Sequence, residues 1–171
     1  MGRYESPDYE VVLEDGDVQI RKYAGFSAME YDNANDPYNQ NGFGTLFNYI
    51  SGANDKAVKM EMTVPVFEQL EGSNKKMAFV IPAQFRDNVP KPQSGELDVV
   101  KFDGGMYAVI RYGGLTNSSK ESREVKLLRE WLDEHGYKVR SAFYLAQYNS
   151  PFALPVLRRN EILVRLDSEN E

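Results

Sequence analysis

Few side chains in this 171-residue chain have a type and spacing suited to chemistry, and the scarcity narrows the choices. Cysteine is absent, which excludes disulfides, thiolate metal centres and a cysteine nucleophile. The single histidine, His135, stands just before Gly136 at the end of a helical pattern. A cation there complements the negative helix end. The other reading of His135 is a lone axial ligand, since an iron porphyrin needs only one or two protein ligands, whereas other metal sites and catalytic triads need several converging groups. Glu61 lies between Met60 and Met62. It is a base or ligand contact if its strand face lines a cavity, and an ordinary solvent-side residue otherwise. Arg158 and Arg159 follow the prolines Pro151 and Pro155. Guanidinium groups at a strand entry suit ligand carboxylates or surface ion pairs. Met60, Met62, Met77 and Met106 either fill a core or shape a surface for a flat apolar ligand. No glycine loop has Walker or Rossmann spacing.

These groups must be carried by elements that the hydrophobic pattern outlines. Phe43, Leu46, Phe47 and Ile50 recur at helical spacing, with Asn41 placed to cap the start and Gly52 to end the helix. Val58, Met60, Met62 and Val64 then alternate with polar residues, which predicts a strand closed by Pro65. Upstream, residues 9–13 and 18–23 read as a hairpin around Glu14-Asp15-Gly16-Asp17, extended by residues 26–31. Residues 76–82 form a further strand, and Pro90, Pro92 and Gly95 mark a linker. The second half repeats the plan. Val99 to Gly104 echoes Val11 to Gly16, Ser118 and Glu121 form a capping box for a helix over 119–135, and residues 139–146 and 161–166 read as the last strands. Val80 and Val164 occupy comparable strands.

Composition limits the function. Hydrophobic residues make up 42% of the chain, enough for a packed interior. The formal charge of −6 opposes nonspecific nucleic-acid binding, which needs a basic surface. No apolar run is long enough to span a bilayer, and no secretory leader is apparent, so the expected setting is cytoplasmic.

The stretches Asn48 to Lys56 and Met60-Glu61-Met62-Thr63-Val64-Pro65-Val66 resemble the hallmark of the SOUL haem-binding protein family. So do Tyr9-Glu10-Val11, Ile20-Arg21-Lys22-Tyr23, Phe79-Val80-Ile81-Pro82 and Arg158-Arg159-Asn160-Glu161, in the same order over nearly the whole chain. The resemblance implies an α+β fold: a distorted antiparallel β-barrel of about eight strands with two flanking helices, built from a duplicated β-hairpin–helix–two-strand unit. It implies one domain over residues 1–171, with repeat halves near 8–87 and 96–167. It also implies a carrier, buffer or sensor that holds haem or another porphyrin non-covalently in an apolar groove beside the first helix, with no established catalysis. Gln40 and Asn48 stand where some animal members carry basic residues. The family is similar in turn to effector-binding domains of the gyrase-inhibitor type, so the alternative is a small-molecule binding domain or hydrolase acting through Glu61 or a pocket tyrosine. For a haem groove the expected contacts are Phe43, Phe47 and Met62, with Arg158 and Arg159 as propionate partners and His135 as the alternative axial ligand.

Overall fold

Among the described residues, nine strands pair into one antiparallel sheet that curls into a half-barrel and carries two helices on its outer face. The computed structural model describes residues 4–35, 41–71, 75–149 and 153–168. The strands are β1 (Tyr9–Asp15), β2 (Val18–Tyr23), β3 (Phe26–Asp32), β4 (Val66–Gln69), β5 (Lys76–Val80), β6 (Leu97–Phe102), β7 (Gly105–Gly113), β8 (Tyr144–Gln147) and β9 (Arg159–Arg165). The helices are α1 (Gly42–Ile50) and α2 (Ser118–Glu134).

The sheet order is β1-β2-β7-β9-β8-β4-β5-β3-β6. Without β1 it reads as a palindrome about the β8–β4 pair. Each half is two strands, a helix and two strands: β2-β3-α1-β4-β5 and β6-β7-α2-β8-β9. The duplicated plan is therefore present in a different phase from the expected one. β6 corresponds to β2, not β1, and β7 to β3. Val80 and Val164 do lie on corresponding strands, β5 and β9, but they face opposite ways. Val80 packs with Phe67 on the inner face, and Val164 packs with Leu128 of α2.

Alternation along the strands divides the core into two faces. Ile20, Ala108, Ile110, Ile162 and Val164 meet Leu128 and Leu132 of α2, and Met29, Tyr31 and Phe79 meet Leu46, Tyr49 and Ile50 of α1. The inner face is filled by aromatic rings. Phe26 stacks on Phe67 at 5.9 Å and on Phe102 at 4.8 Å, and Tyr23 meets Tyr107 edge-on at 5.2 Å. Both faces of β3 are thus buried, although its sequence alternates.

Caps and turns follow local chemistry, with one change. Asn41 Oδ1 accepts the Gly44 N–H at 3.0 Å, as expected of a cap. Asn117, not Ser118, caps α2 by accepting the Lys120 N–H at 2.9 Å, and Glu121 accepts from Thr116 Oγ1 at 3.0 Å. The predicted strand over 58–64 is absent. Its backbone bonds go elsewhere: Met60 N–H donates to Ile50 O at 2.7 Å, the Asn54 side chain bonds both Val58 N–H and Val58 O, and only an isolated bridge forms between Thr63 and Glu5, with Val64 N–H donating to Glu5 O at 2.9 Å. The expected strand over 139–146 shortens to β8, with Val139 making only an isolated bridge to Leu166. The proline stretch is packed too, since Tyr49 Oη donates to Pro90 O at 2.7 Å. Glu71 begins a turn whose next residues, like Gln40 and Pro151, lie outside the described set.

Candidate functional site

Helix α1 buries Leu46, Tyr49 and Ile50 and leaves two phenylalanines outside. Phe43 is 44% exposed and Phe47 47% exposed, one helical turn apart. Their rings stack at 6.2 Å with an interplanar angle of 13°, and Phe43 also meets the buried Phe79 edge-on at 5.4 Å. The predicted apolar stripe therefore splits: Leu46 and Ile50 anchor the helix, while Phe43 and Phe47 form an aromatic surface. Exposed paired rings add little to the core, and their cost in water is recovered only when something apolar covers them. Asn48 is exposed on the same helix.

Met62 is half-buried and packs against the cluster beneath α1, so it shares this region with the phenylalanines. Asn54 fixes the intervening turn. It is 1% exposed, its Nδ2 donates to Tyr49 O and Val58 O, and its Oδ1 accepts from the Lys56 and Val58 N–H groups. A groove of about 610 Å³ opens beside Gly42, at the start of α1, between the two helices. Tyr31, Leu70, Met77 and Val125 supply its apolar walls, and Lys75 and Lys76 line it with Glu68 and Glu121. Burial, reinforced by Glu121 and partly offset by Lys75, raises the Glu68 carboxyl above the usual carboxylate range.

The other candidates lie elsewhere. Glu61 is exposed in the irregular segment before β4. Arg159 is held by Glu161, accepting through Oε2 at 3.0 and 3.1 Å, and lies over the Tyr148 ring at 3.9 Å. Arg158 Nε donates to Ala153 O at 3.1 Å. His135 stacks on Trp131 at 4.0 Å, and its Nδ1 lies 2.7 Å from Trp131 O, past the end of α2. Phe43 and Phe47 thus pair on α1, Met62 packs on the cluster beneath that helix, and His135 and the arginines belong to other elements. Among the described residues, no three His, Asp or Glu side chains converge as a metal site. Nor, among these residues, is any helix long and apolar enough to cross a membrane.

Sequence reasoning missed the charged centre of the inner face. Arg21 and Glu161 are both fully buried and form a bidentate pair at 2.8 and 2.7 Å. Arg21 Nε also donates to Gln19 Oε1 at 2.8 Å, and Nη1 to Tyr23 Oη at 2.9 Å. The signal was a charged residue inside each of two apolar strands, but nothing in the sequence joins positions 140 residues apart.

The family model for SOUL heme-binding protein matches residues 4–165. Human "Heme-binding protein 2" is 28% identical over 163 residues, spanning 86% of this chain and 77% of that protein. Its mouse counterpart is 26% identical over 178 residues, spanning 95% and 83%. In fold, the chain is similar to a crystal structure of a hydrolase from Listeria innocua, with a TM-score of 0.58 at 12% identity, covering 88% of this chain and 91% of that one.

Proposed function

This chain belongs to the SOUL heme-binding protein family, and from that premise we propose that it binds haem or a related porphyrin non-covalently on the outer face of α1. One observation carries the reading: Phe43 and Phe47 form a stacked, half-exposed aromatic surface on a helix whose other large side chains are buried. A porphyrin face covers such rings and is stabilised mainly by apolar burial, at roughly 25 cal/mol per Å². The inner face offers no comparable space, because Phe26, Phe67 and Phe102 stack across it. The aromatic and thioether groups around α1 suit an apolar macrocycle, and in this reading burial of its face, not ligation by His135, supplies most of the affinity. The names of the human and mouse relatives agree with this ligand.

Two sets of cations are candidates for the propionates: Arg158 with Arg159, and Lys75 with Lys76 in the groove beside Gly42. The reading is of a carrier, buffer or sensor in the cytoplasm, one domain made of two fused copies, with no nucleic-acid partner. Titration of the full chain with haem, followed at the Soret band, tests it. Saturable one-to-one binding near micromolar Kd is expected, worth about 8 kcal/mol. Phe43→Ala with Phe47→Ala should weaken it by about 1–3 kcal/mol, since each ring has roughly half of its area to contribute. Unsaturable uptake, or unchanged affinity in the double variant, would refute the site. Paired alanine variants of the two cation sets decide which meets the propionates.

A further inference from the structure

A second cleft, about 250 Å³, lies at the mouth of the half-barrel on the inner face, opposite α1. Its walls come from five strands: Glu30 of β3, Val100 and Phe102 of β6, Tyr107 of β7, Tyr144 of β8 and Arg165 of β9. Strand alternation separates Glu30 from Met29 and Tyr31, which pack under α1. Phe102 and Tyr144 meet edge-on at 6.0 Å, so the wall beside Glu30 is aromatic.

Glu30 is half-buried, and among the described residues its carboxylate has no hydrogen-bond or ion-pair partner. Lys76 is paired with Asp32 at 3.8 Å. Arg165 donates to Gly104 O at 2.8 Å and lies 5.1 Å over the Tyr107 ring. Asp98 stands directly across the β3–β6 pair from Glu30. Like charges in that arrangement destabilise a sheet, and a cation between them would relieve it. Burial, together with Asp32 and Asp98, raises the Glu30 carboxyl against the opposing effect of Lys76. At the rim, Arg140 and Lys101 are exposed and solvated, as is Asp103.

We propose that this cleft binds a small aromatic molecule carrying a protonated amine, with the ammonium against Glu30 and the ring against Phe102, Tyr107 and Tyr144. A carboxylate on the same molecule would reach Arg140 at the rim, so aromatic amino acids belong to the class as well as simple arylalkylamines. The aromatic walls add cation–π attraction to the ion pair. This site is on the opposite side of the sheet from Phe43 and Phe47, so occupancy of one does not block the other.

Phenethylamine, phenylalanine and phenylacetate, each titrated into the isotope-labelled full chain and followed by amide NMR, test the proposal. The two amines should saturate, shifting residues around Glu30, Phe102 and Tyr144, and phenylacetate should not. Glu30→Gln should weaken phenethylamine by about tenfold or more, as expected for loss of a charged hydrogen bond. Loading with haem beforehand should leave that affinity unchanged. The proposal is overturned if neither amine saturates into the millimolar range, or if phenylacetate binds as tightly as phenethylamine. Undiminished binding by Glu30→Gln, or competition by haem, overturns it as well. The amine-against-acid comparison needs only the unmodified protein, so it stands even if the variant folds poorly.

Discussion

Replacing Glu161 with glutamine tests whether the buried charge centre holds the half-barrel together. Glu161 is fully buried and receives two hydrogen bonds from Arg21, at 2.8 and 2.7 Å, and two from Arg159, at 3.1 and 3.0 Å. Through these contacts β9 is tied to β2 across the intervening β7. Glutamine keeps the shape but leaves the Arg21 guanidinium buried without a counter-charge. Breaking a buried pair in this way costs about 3–5 kcal/mol, a large share of the 5–15 kcal/mol typical of a domain. The melting temperature of a chain this size should fall by roughly 6–20 °C. Arg21→Met combined with Glu161→Leu removes both charges and should recover most of the loss, because an apolar replacement avoids desolvating two ions. Burial pushes the Glu161 carboxyl up, but hydrogen bonds and charge from Arg21 and Arg159 outweigh it and hold it below the ordinary range. Its contribution is therefore present at neutral pH and lost as pH falls through that depressed value, so the wild type should lose more stability in acid than Glu161→Gln does. Urea denaturation of the three proteins at neutral and acid pH makes the comparison. A cost below about 1 kcal/mol for Glu161→Gln, or a double variant less stable than Glu161→Gln, would refute the reasoning.

Asn54→Ala removes four hydrogen bonds, one buried and three half-buried, and should cost about 2–4 kcal/mol by urea denaturation, because the turn loses the side chain that satisfies its backbone groups. His135→Ala should leave haem affinity within about threefold and the Soret maximum in place, while losing about 0.5–1 kcal/mol of stability with the Trp131 stack. A lost or displaced Soret band there would make His135 the axial ligand. Burial pushes the Tyr23, Tyr49 and Tyr112 hydroxyls up to about 12, from an ordinary value of 10.0. The unfolded chain ionises first as pH rises, so stability should fall from about pH 10 upward. Denaturant midpoints at pH 8 and near pH 11, with absorbance of the phenolate band, check this.

How far the fold could be read from the sequence varied with where each segment's hydrogen bonds go. Helix α1 was legible from Leu46 and Ile50 at helical spacing with Asn41 ahead of them. Periodicity could not show that Phe43 and Phe47 stay outside, because a 3.6-residue pattern fits several rotations about the helix axis. Val58 to Val64 alternates like a strand, yet the Asn54 side chain and the Ile50 carbonyl take its backbone bonds, so no ladder forms. The duplication was legible, but its phase was not, because β1 is an added edge strand that resembles β6 in sequence. Arg159 reads from the sequence as a cation at a strand entry, and only the structure shows that Glu161, two residues along the same strand face, is one of its partners. Glu30 sits in an alternating strand, and only the curled sheet shows that its face opens on a cleft.

Amide NMR of the labelled chain, with and without one equivalent of haem, tests the central claim most directly. Binding on the outer face of α1 predicts that the largest shifts and broadening fall on residues 42–48 and around Met62, with the inner-face strands little changed. Perturbation centred instead on Tyr107, Tyr144 and Glu30, or on the end of α2 around His135, would contradict the account.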